Sequence, residues 1–554
     1  MPCITRHFDI EEQILMKMKT VIFALNSSYS HTSLAARAIG AGMERMGLEY
    51  EIIERNQKEK RASILASLVG ADADIYGFST YIWNISDMLA YASSLKKILP
   101  QAKIIFGGPE VLFAGDAFLA QNPAVDHVIR GEGEEAFPAL CRDIAEGKER
   151  ECIVDAPNFA GFEESGIYYG KQGAEPHGLV YYESVRGCPF ACSYCLSSTN
   201  RIIRAKTAES ALCDLRGFER FDGIKTVKLV DRTFNFDRER AKKIWRGLCA
   251  EDYTKEYHFE ICASLLDEES VEILTSAPKG KFRVEIGLQS TNPKTLEAIH
   301  RKLDVKKTLE NTKRIYEAGN VCVHLDLIAG LPYEDYSSFA RSFNDAYGIC
   351  DELQLGFLKI LCGCEMERDA KRYGIVYSEE PPYEVLKTDF ISYAELRRLS
   401  LTDELNDRIS NSETFRNTFP YLPLEYGDPF AFFEKLGAFF EEKYGENADL
   451  SKLSQINTFL LILEFANSVM SDASGTRARL ALDFMMHETR KLPSELAHGV
   501  IAEESVKAEI LLCVPKYERA SCEVAYLPFI SEKYIIVNRK NKTITETEVL
   551  ANGI

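Results

Sequence analysis

The sequence predicts an α/β protein built from a doubly wound parallel sheet, a partial (β/α) barrel and a mainly helical C-terminal domain. Short apolar runs alternate with segments of helical periodicity over residues 20–150. Six longer strand–helix repeats follow between residues 179 and 378. The alternation stops after residue 379, and helical periodicity then dominates. These three changes of pattern define the predicted domains.

The first domain, residues 19–150, is predicted to be Rossmann-like because its short strands are separated by single helices. The predicted strands are Val21–Leu25, Tyr50–Ile53, Ile75–Ser79, Lys103–Phe106 and Val128–Arg130. Glycine-rich turns follow the last two of them, and glycine lets a ligand approach the backbone closely. Such turns also occur simply as tight turns, so both interpretations stay open. Residues 151–178 mix Gly, Pro and acidic residues and are predicted to be a linker.

The second domain, residues 179–378, is predicted to be a partial TIM-type barrel, (β/α)6. Its predicted strands are Leu179–Val185, Thr226–Asp231, His258–Ala263, Arg283–Ser290, Cys322–Gly330 and Leu353–Leu361. Functional residues of such barrels lie at the C-terminal ends of the strands. The first predicted strand runs directly into a cluster of cysteines, so that cluster is the first candidate site.

Cys188, Cys192 and Cys195 have the spacing C-x-x-x-C-x-x-C. Iron–sulfur clusters are bound by cysteine thiolates, so three thiolates can hold three irons of a [4Fe–4S] cluster and leave one iron open. A structural zinc site needs four ligands, and no second cysteine pair lies at zinc spacing. The odd count of 15 cysteines in a long chain disfavours a disulfide framework.

With Tyr194 just before its last cysteine, this loop resembles that of the radical SAM superfamily, in which S-adenosylmethionine (SAM) chelates the open iron. The segments GFSTYIWN, GGPE and RGEGEE, at 77–84, 107–110 and 130–135, are similar to the cobalamin domains of the class B branch. The resemblance covers about the first two-thirds of the chain. It implies three cofactors: a [4Fe–4S] cluster, SAM and cobalamin.

The resemblance also implies the cobalamin contacts. They are Ser79, Tyr81, Trp83, Asn84, Gly107, Gly108, Glu110, Gly131, Glu132, Gly133 and Glu134. Many cobalamin domains bind cobalt through the His of a D-x-H-x-x-G loop, but Tyr29 and Leu34 replace the Asp and Gly around His31. We therefore expect cobalamin without a His ligand. Trp83 is the candidate for the lower face of the cobalt, unless it simply packs against the sheet edge.

SAM contacts are expected at the strand ends of the barrel. EIGLQS and DLIAGLP resemble SAM-contacting strands of the superfamily, and the implied contacts are Tyr194, Asp231, Glu260, Glu285 and Gln289. A buried carboxylate needs a partner, which here is either SAM or an arginine or backbone amide of the protein. Both alternatives stay open for each carboxylate. Cys362 and Cys364, on the last barrel strand, are interpreted as buried small apolar residues rather than reactive thiols.

The C-terminal domain, residues 379–554, shows helical periodicity and ends in a predicted hairpin formed by Tyr534–Val537 and Thr543–Thr547. It resembles a helical domain of unknown function that accompanies some cobalamin radical SAM proteins. We expect it to cover the barrel mouth and to select the substrate. Residues 1–18 form an N-terminal extension without the long apolar centre of a secretory signal.

The function implied by the resemblance is reductive cleavage of SAM to a 5′-deoxyadenosyl radical, followed by methylation of an unactivated centre. Three alternatives stay open: a cobalamin-assisted cyclisation or rearrangement without methyl transfer, a non-catalytic cobalamin-binding protein, and a tRNA methylthiotransferase-like enzyme. The last carries three further cluster thiols, whereas Cys3, Cys141 and Cys152 are scattered here. The sequence leaves the catalytic residues unknown, and it leaves the substrate open between small molecules, peptides and other classes.

Bulk composition limits the partners. Hydrophobic residues make up 46% of the chain, and no apolar run approaches the ~18 residues of a membrane span, so no membrane partner is expected. The formal charge of −18 argues against non-specific nucleic-acid binding. The many cysteines predict a reducing, cytoplasmic location. The implied chemistry needs a reductant such as flavodoxin or ferredoxin.

Overall fold

The computed structural model describes residues 18–29, 31–169, 176–250, 252–446, 448–498 and 503–547. Nearly all of the predicted N-terminal extension, and residues 170–175 of the predicted linker, lie outside these ranges. The chain divides into two compact units. The first unit comprises Met1–Gly287, Lys294–Val323 and Phe357–Asp389, and the second comprises Leu288–Pro293, His324–Gly356 and Phe390–Ile554. The predicted α/β class is confirmed.

The first sheet has six parallel strands in the order β2-β1-β3-β4-β5-β6. Their bounds are β1 Thr20–Asn26, β2 Tyr50–Asn56, β3 Ile75–Ser79, β4 Lys103–Gly107, β5 His127–Arg130 and β6 Ile153–Asp155. All five predicted strands are present. The edge strand β6 pairs with β5 inside the predicted linker, so that prediction is wrong for these residues. A strand of three residues is too short to show a periodicity in the sequence.

Helices cover both faces of the first sheet. They are α1 Leu34–Arg45, α2 Arg61–Ala71, α3 Ile85–Ile98, α4 Asp116–Gln121 and α5 Gly133–Ala145. Successive strand side chains point to opposite faces. Phe23 and Phe106 accordingly belong to one apolar cluster, while Ile22 and Ile105 belong to another. The two cores explain why these strands are almost continuously apolar, and they leave the loops at the strand ends to form a site.

The second sheet also has six strands, in the order β14-β13-β12-β11-β10-β7. Their bounds are β7 Gly178–Tyr182, β10 Ile224–Leu229, β11 Glu256–Ile261, β12 Phe282–Gln289, β13 Cys322–Ala329 and β14 Glu352–Phe357. The printed pairings β7–β10, β10–β11 and β11–β12 are all parallel. This sheet is the predicted half-barrel. Two short strands, β8 Val185–Arg186 and β9 Arg204–Ala205, form a separate antiparallel pair after β7.

Helices alternate with the strands of the half-barrel. They are α6 Ala208–Gly217, α7 Arg238–Leu248, α8 Glu268–Thr275, α9 Pro293–Ala298, α10 Val305–Ala318 and α11 Tyr336–Ala346. Trp245 of α7 packs edge-on against Phe259 of β11, with ring centroids 6.2 Å apart. The last part of the first unit contains α12 Glu365–Asp369, β15 Val376–Tyr377 and β16 Val385–Lys387. It supplies backbone contacts to the site described below.

The C-terminal part of the second unit is mainly helical, as predicted. Its helices are α13 Tyr393–Ile409, α14 Tyr421–Tyr426, α15 Pro429–Tyr444, α16 Gln455–Val469, α17 Ser474–His487, α18 Ser494–Ala497 and α19 Glu504–Leu512. Three antiparallel strands follow, β17 Cys522–Tyr526, β18 Tyr534–Asn538 and β19 Thr543–Thr547. The predicted hairpin is confirmed by β18 and β19. In the described part of the chain, no helix combines the length and apolar character needed to cross a membrane.

Asp483 is fully buried in the helical part of the second unit. Its carboxylate accepts hydrogen bonds from the Asn417 backbone N–H at 3.0 Å and from the Asn417 side chain at 2.8 Å. It also accepts bonds from the Thr418 N–H at 3.0 Å and hydroxyl at 2.7 Å. One side chain therefore satisfies four donors that burial shields from water.

Replacing Asp483 with Ala is expected to lower the free energy of unfolding by about 3 kcal/mol, because the buried donors lose their acceptor. Urea unfolding followed by circular dichroism measures the change. Glu442→Ala, at an exposed position of α15, is the matched control. Equal stabilities of the two variants would show that the four hydrogen bonds contribute little.

Candidate functional site

The three predicted cluster cysteines lie on a loop that is closed at its base by β8 and β9. Val185 pairs with Ala205 and Arg186 with Arg204. Gly187, at the start of the loop, has φ +86°, and a Cβ there would collide with the backbone of Ile202. The pairing of β8 with β9 and the close approach at Gly187 bring the two ends of the loop together. The positions of both ends of the cysteine loop are therefore fixed.

The middle of the loop is fixed by segments distant in sequence. The Ser193 N–H donates to the carbonyl of Ile299 at 3.0 Å, and the Met366 N–H donates to the carbonyl of Ser193 at 2.8 Å. Cys188 and Cys192 are buried, with 8% and 5% exposure, and Cys195 is partly buried. The loop is thus positioned before any metal binds.

The chemistry of the three thiols fits an iron–sulfur cluster. Such clusters are bound by cysteine thiolates, and Cys188, Cys192 and Cys195 are all unpaired cysteines of one loop. The donor set therefore fits the predicted cluster.

Arg301 is a site residue that the sequence analysis missed. Its guanidinium lies 3.5 Å from the sulfur of Cys192 and also donates to the carbonyl of Gly287. Burial raises the pKa of the Cys192 thiol, and the positive charge of Arg301 opposes that effect. Burial also raises the pKa of Tyr194 above its ordinary value, so its phenol stays neutral. No spacing in the sequence links Arg301 to the cysteines, because only folding brings them together.

A cavity of about 400 Å³ opens beside this loop. Eight of the predicted cobalamin contacts line it: Ser79, Tyr81, Gly107, Gly108, Gly131, Glu132, Gly133 and Glu134. The stem of the cysteine loop lines it as well, through Val185, Arg186 and Gly187. All of these residues belong to the first unit. The structure therefore joins the glycine-rich turns and the base of the cysteine loop in one cavity.

Two of the glycines in the cavity wall cannot be replaced without a backbone clash. Gly108 has φ +118°, and a Cβ there would meet the backbone of Thr80. Gly131 has φ +107°, and a Cβ there would meet the carbonyl oxygen of Ala156. Both glycines let the turns lie close to neighbouring backbone, and both turns line the cavity. Glycine-rich turns in a cavity wall fit the close approach of a ligand such as the predicted cobalamin.

Three predicted cobalamin contacts do not line the cavity. Trp83 is 49% exposed and stacks on Tyr81, with ring centroids 4.4 Å apart. Tyr81 lines the cavity, whereas Trp83 is not among the residues that line it, and contact of Trp83 with cobalamin stays a prediction. Asn84 accepts from the Tyr81 N–H at 2.7 Å and shapes the turn. Glu110 accepts a hydrogen bond from Tyr383, and burial raises its pKa.

His31 is not among the residues that line the cavity. Its ring lies 3.3 Å from the hydroxyl of Ser27, and burial lowers its pKa. This placement agrees with the interpretation of His31 as an ordinary loop residue. Cobalamin without a His ligand stays a prediction.

Among the predicted SAM contacts, Asp231 is completely buried. Its carboxylate accepts from the N–H of Ser184 at 2.7 Å and of Val185 at 2.9 Å, and burial raises its pKa. Asp231 follows β10 and thus connects the end of this strand to the stem of the cysteine loop. The structure shows that protein backbone amides are partners of its carboxylate, which is one of the two alternatives given by the sequence. Contact of Asp231 with SAM stays a prediction.

The other predicted SAM contacts have different surroundings. Glu260 lies 3.9 Å from a guanidinium nitrogen of Arg232. Glu285 accepts from Lys228 at 2.8 Å. Gln289, which belongs to the second unit, has φ +69°, and its buried amide oxygen has no hydrogen-bond partner. An unsatisfied buried acceptor fits a site that a ligand completes. SAM binding by these residues stays a prediction.

A partly buried ion network joins the first domain to the cysteine loop. Glu132 accepts from Arg186 at 2.6 Å and from the Phe159 N–H at 2.7 Å, and it also pairs with Arg204. Arg186 pairs in turn with Glu134. Although burial raises the pKa of Glu132, the hydrogen bond from Arg204 and the charge of Arg186 hold it below its ordinary value. Both ends of the loop therefore bind one carboxylate.

Cys362 and Cys364 lie beyond the last barrel strand, which ends at Phe357, and they differ in exposure. Cys364 is fully buried, as expected for a small apolar residue. Cys362 is exposed, so the interpretation of it as a buried residue is wrong. The aromatic ring of Phe113 lies against Gly363 between them. Gly363 has φ +81°, so the chain turns between the two cysteines, and their side chains differ in exposure to solvent.

Family comparisons match three consecutive parts of the chain. Residues 20–141 match the B12 binding domain, and residues 182–346 match the radical SAM superfamily. Residues 371–519 match a domain described as a protein of unknown function, DUF4080. The chain thus carries a B12-binding domain and a radical SAM domain, in that order, followed by the domain of unknown function.

Three curated relatives are similar to about half of this chain. An uncharacterized methyltransferase, PH0819, from Pyrococcus horikoshii is 24% identical over 50% of this chain and 65% of its own length. The cobalamin-dependent radical SAM methyltransferase TokK from Streptomyces tokunonensis is 25% identical over 50% and 44%. The hopanoid C-3 methylase from Methylococcus capsulatus is 22% identical over 53% and 60%. The chain therefore spans less than two thirds of the length of these relatives.

A solved structure shows the same fold. The radical SAM methyltransferase TsrM from Kitasatospora setae, with cobalamin and a [4Fe–4S] cluster bound, superimposes with a TM-score of 0.54. The match covers 67% of this chain and 82% of TsrM at 15% sequence identity.

Replacing Cys192 with Ala is expected to abolish the visible absorption and most of the bound iron after anaerobic reconstitution, because a cluster needs all three thiolates. Iron and sulfide analysis measures the loss. Cys213→Ala, at an exposed position of α6, is the control and should retain the cluster. A brown, iron-loaded Cys192 variant would disprove the ligand assignment.

Glu183 leads to a prediction about pH. Burial raises its pKa to about 7, against the opposing charge of Arg186. Because the folded value lies above the ordinary value of 4.5, its contribution to stability is complete below pH 4.5 and is lost as pH rises through about 7. Glu183→Gln should therefore lose less thermal stability over this window than the parent. Equal slopes in the parent, this variant and the exposed control Glu163→Gln would contradict the prediction.

Proposed function

We propose that this chain, in which a B12-binding domain precedes a radical SAM domain, is a cobalamin-dependent radical SAM methyltransferase acting on an unactivated centre. The observation that carries the proposal is the shared cavity. Predicted cobalamin contacts such as Gly108 line it together with Arg186 and Gly187, which lead directly into the cluster ligands. The names of two of the relatives, TokK and the hopanoid C-3 methylase, describe methyl transfer and support the reaction class.

In this proposal Cys188, Cys192 and Cys195 hold the cluster, and the cradle around Gly108 and Gly131 holds cobalamin. When bound, these groups supply the electron that cleaves SAM and the methyl group that is transferred. The protein supplies position and shielding. Cysteine ligands that are mostly buried keep water away from the reactive centre, which such chemistry requires.

Arg301 and Asp231 hold the cysteine loop in position. Arg301 donates to Cys192 and compensates negative charge at the sulfur. Asp231 holds the backbone at Ser184 and Val185, just before the loop. Neither residue needs to change its protonation state for these roles. They keep the ligands in place, as preorganised sites require.

The tRNA methylthiotransferase alternative lacks support in the described residues. Cys141 is buried in an apolar cluster of the first domain, and Cys152 is exposed. Cys3 lies outside the described residues. Cys141 and Cys152 thus lie in different environments. We therefore do not propose the second iron–sulfur cluster that tRNA methylthiotransferases carry.

The proposal includes a reductant such as flavodoxin or ferredoxin, because SAM cleavage consumes an electron. It also places the protein in the cytoplasm, where a reducing environment protects the thiols. Substrate selection is assigned to the C-terminal helical domain.

Anaerobic reconstitution with methylcobalamin, methyl-labelled SAM and reduced flavodoxin or ferredoxin tests the function. We expect 5′-deoxyadenosine and S-adenosylhomocysteine, with label transferred to an acceptor in an extract of the organism that encodes the chain. The product should be heavier by one methylene group. Cys192→Ala should give no 5′-deoxyadenosine. An acceptor converted without gain of mass would favour cyclisation or rearrangement, and a lack of SAM cleavage by the loaded parent would favour a binding protein.

A further inference from the structure

A second cavity lies in the helical part of the second unit, among α16, α17 and α18. Its volume is about 410 Å³, which falls within the range of ~300–1,000 Å³ that is usual for small-molecule sites. All of the residues that line it belong to the second unit, and none of them is a predicted contact of the cluster, SAM or cobalamin. The proposed cofactors therefore leave this second cavity without an assigned ligand.

The lining of the second cavity is apolar where it is buried and polar where it is exposed. Leu463 of α16 is 3% exposed, and Leu460, about one turn earlier, is half-buried. Asn467 of α16, Ser494 of α18 and His498 line the cavity from exposed positions. An apolar wall with a few polar groups is typical of ligand pockets. The lining therefore suits a ligand with an apolar body and one polar end.

Arg477 of α17 is the half-buried cation of this lining. In the described part of the chain its guanidinium takes part in no ion pair, and its buried Nε has no hydrogen-bond partner. Hydrogen bonds from Ser474 lower the pKa of Asp472, and the charge of Arg477 adds to this effect without a direct contact. A partly desolvated charge without a partner is unfavourable, so an anionic ligand would stabilise this arginine.

Two glutamates that line the same cavity do not neutralise Arg477. Glu464 of α16 forms an ion pair with Lys443 of α15. Glu495 of α18 accepts from the hydroxyl of Ser494 at 3.0 Å, and its own backbone N–H and this hydroxyl hold its pKa below the ordinary value. Both carboxylates thus have partners of their own. Their negative charges also make a multiply charged anion unfavourable in the same cavity.

We propose that the second cavity binds a small organic monocarboxylate, with its carboxylate at Arg477 and its aliphatic body against Leu460 and Leu463. The planar guanidinium offers parallel N–H donors that match the two oxygens of a carboxylate. Contact of the aliphatic body with the leucines removes apolar surface from water, which is favourable. This ligand site belongs to the domain of unknown function. It does not depend on the cluster, on cobalamin or on methyl transfer.

The ligand class is tested with the full-length chain and hexanoate, in a titration followed by ligand-observed NMR. We expect one saturable site with a Kd of about 1 mM or tighter, as for a well-fitting ligand of this size. In the comparison set, 1-hexanol lacks the charge, acetate lacks the hydrocarbon and inorganic phosphate carries a second charge. Each should bind at least about tenfold more weakly than hexanoate. An affinity of any of the three that equals or exceeds that of hexanoate, or no saturable binding of hexanoate, overturns the proposal.

Two variants connect this binding to the second cavity. Arg477→Gln should weaken hexanoate binding about tenfold or more, because it removes the charged donor. Asn467→Trp should weaken it as well by filling the cavity from an exposed position, and it decides the test if circular dichroism shows that the arginine variant does not fold. Arg416→Gln is the matched control, because Arg416 is exposed, pairs with Glu413 and does not line the cavity. Parent-like affinity in the Asn467 variant, or in a folded Arg477 variant, overturns the assignment.

Discussion

The carboxylate of Glu132 is the point on which the geometry of the candidate site depends. It binds Arg186 and Arg204, which stand opposite one another at the two ends of the cysteine loop. Glu132 itself belongs to a glycine-rich turn of the first sheet, so the same residue shapes the cavity wall and closes the loop. Removing one member of this partly buried network leaves a charge without its partner, which destabilises the loop. The network therefore links the predicted cobalamin site to the predicted cluster site.

Around this anchor, each functional side chain is held by a partner from another part of the chain. Ile299 and Met366 hold the backbone of Ser193, and Arg301 reaches the sulfur of Cys192. Metal and radical chemistry requires such preorganisation because small displacements of the ligands weaken the site. Where the half-barrel carries Lys228 and Glu285, an ion pair takes the place of the aliphatic filling of a closed barrel. The same sheet thus has one apolar face and one polar face.

Local patterns in the sequence were sufficient to predict most of the fold. Five of the six strands of the first sheet and the six strands of the half-barrel were identified by apolar runs and spacing, because these signals are local. The hairpin at Tyr534–Asn538 and Thr543–Thr547 was found in the same way. Ile153–Asp155 was missed because three residues contain too little pattern, and its identity as a strand depends on pairing with β5. Cys362 was misplaced because exposure is decided by the turn at Gly363.

The sequence by itself determined the donor set and its chemistry: three thiols at a spacing that suits a cluster, placed after a strand, and glycines where backbone must be approached closely. Tertiary structure alone decided which ring lines the cavity, Tyr81 rather than the exposed Trp83. It also decided that Arg301 stands beside Cys192 and that one carboxylate holds both ends of the loop. The physical reason is that ligand spacing is a property of neighbouring residues, whereas charge pairing and burial arise between residues that only folding brings together.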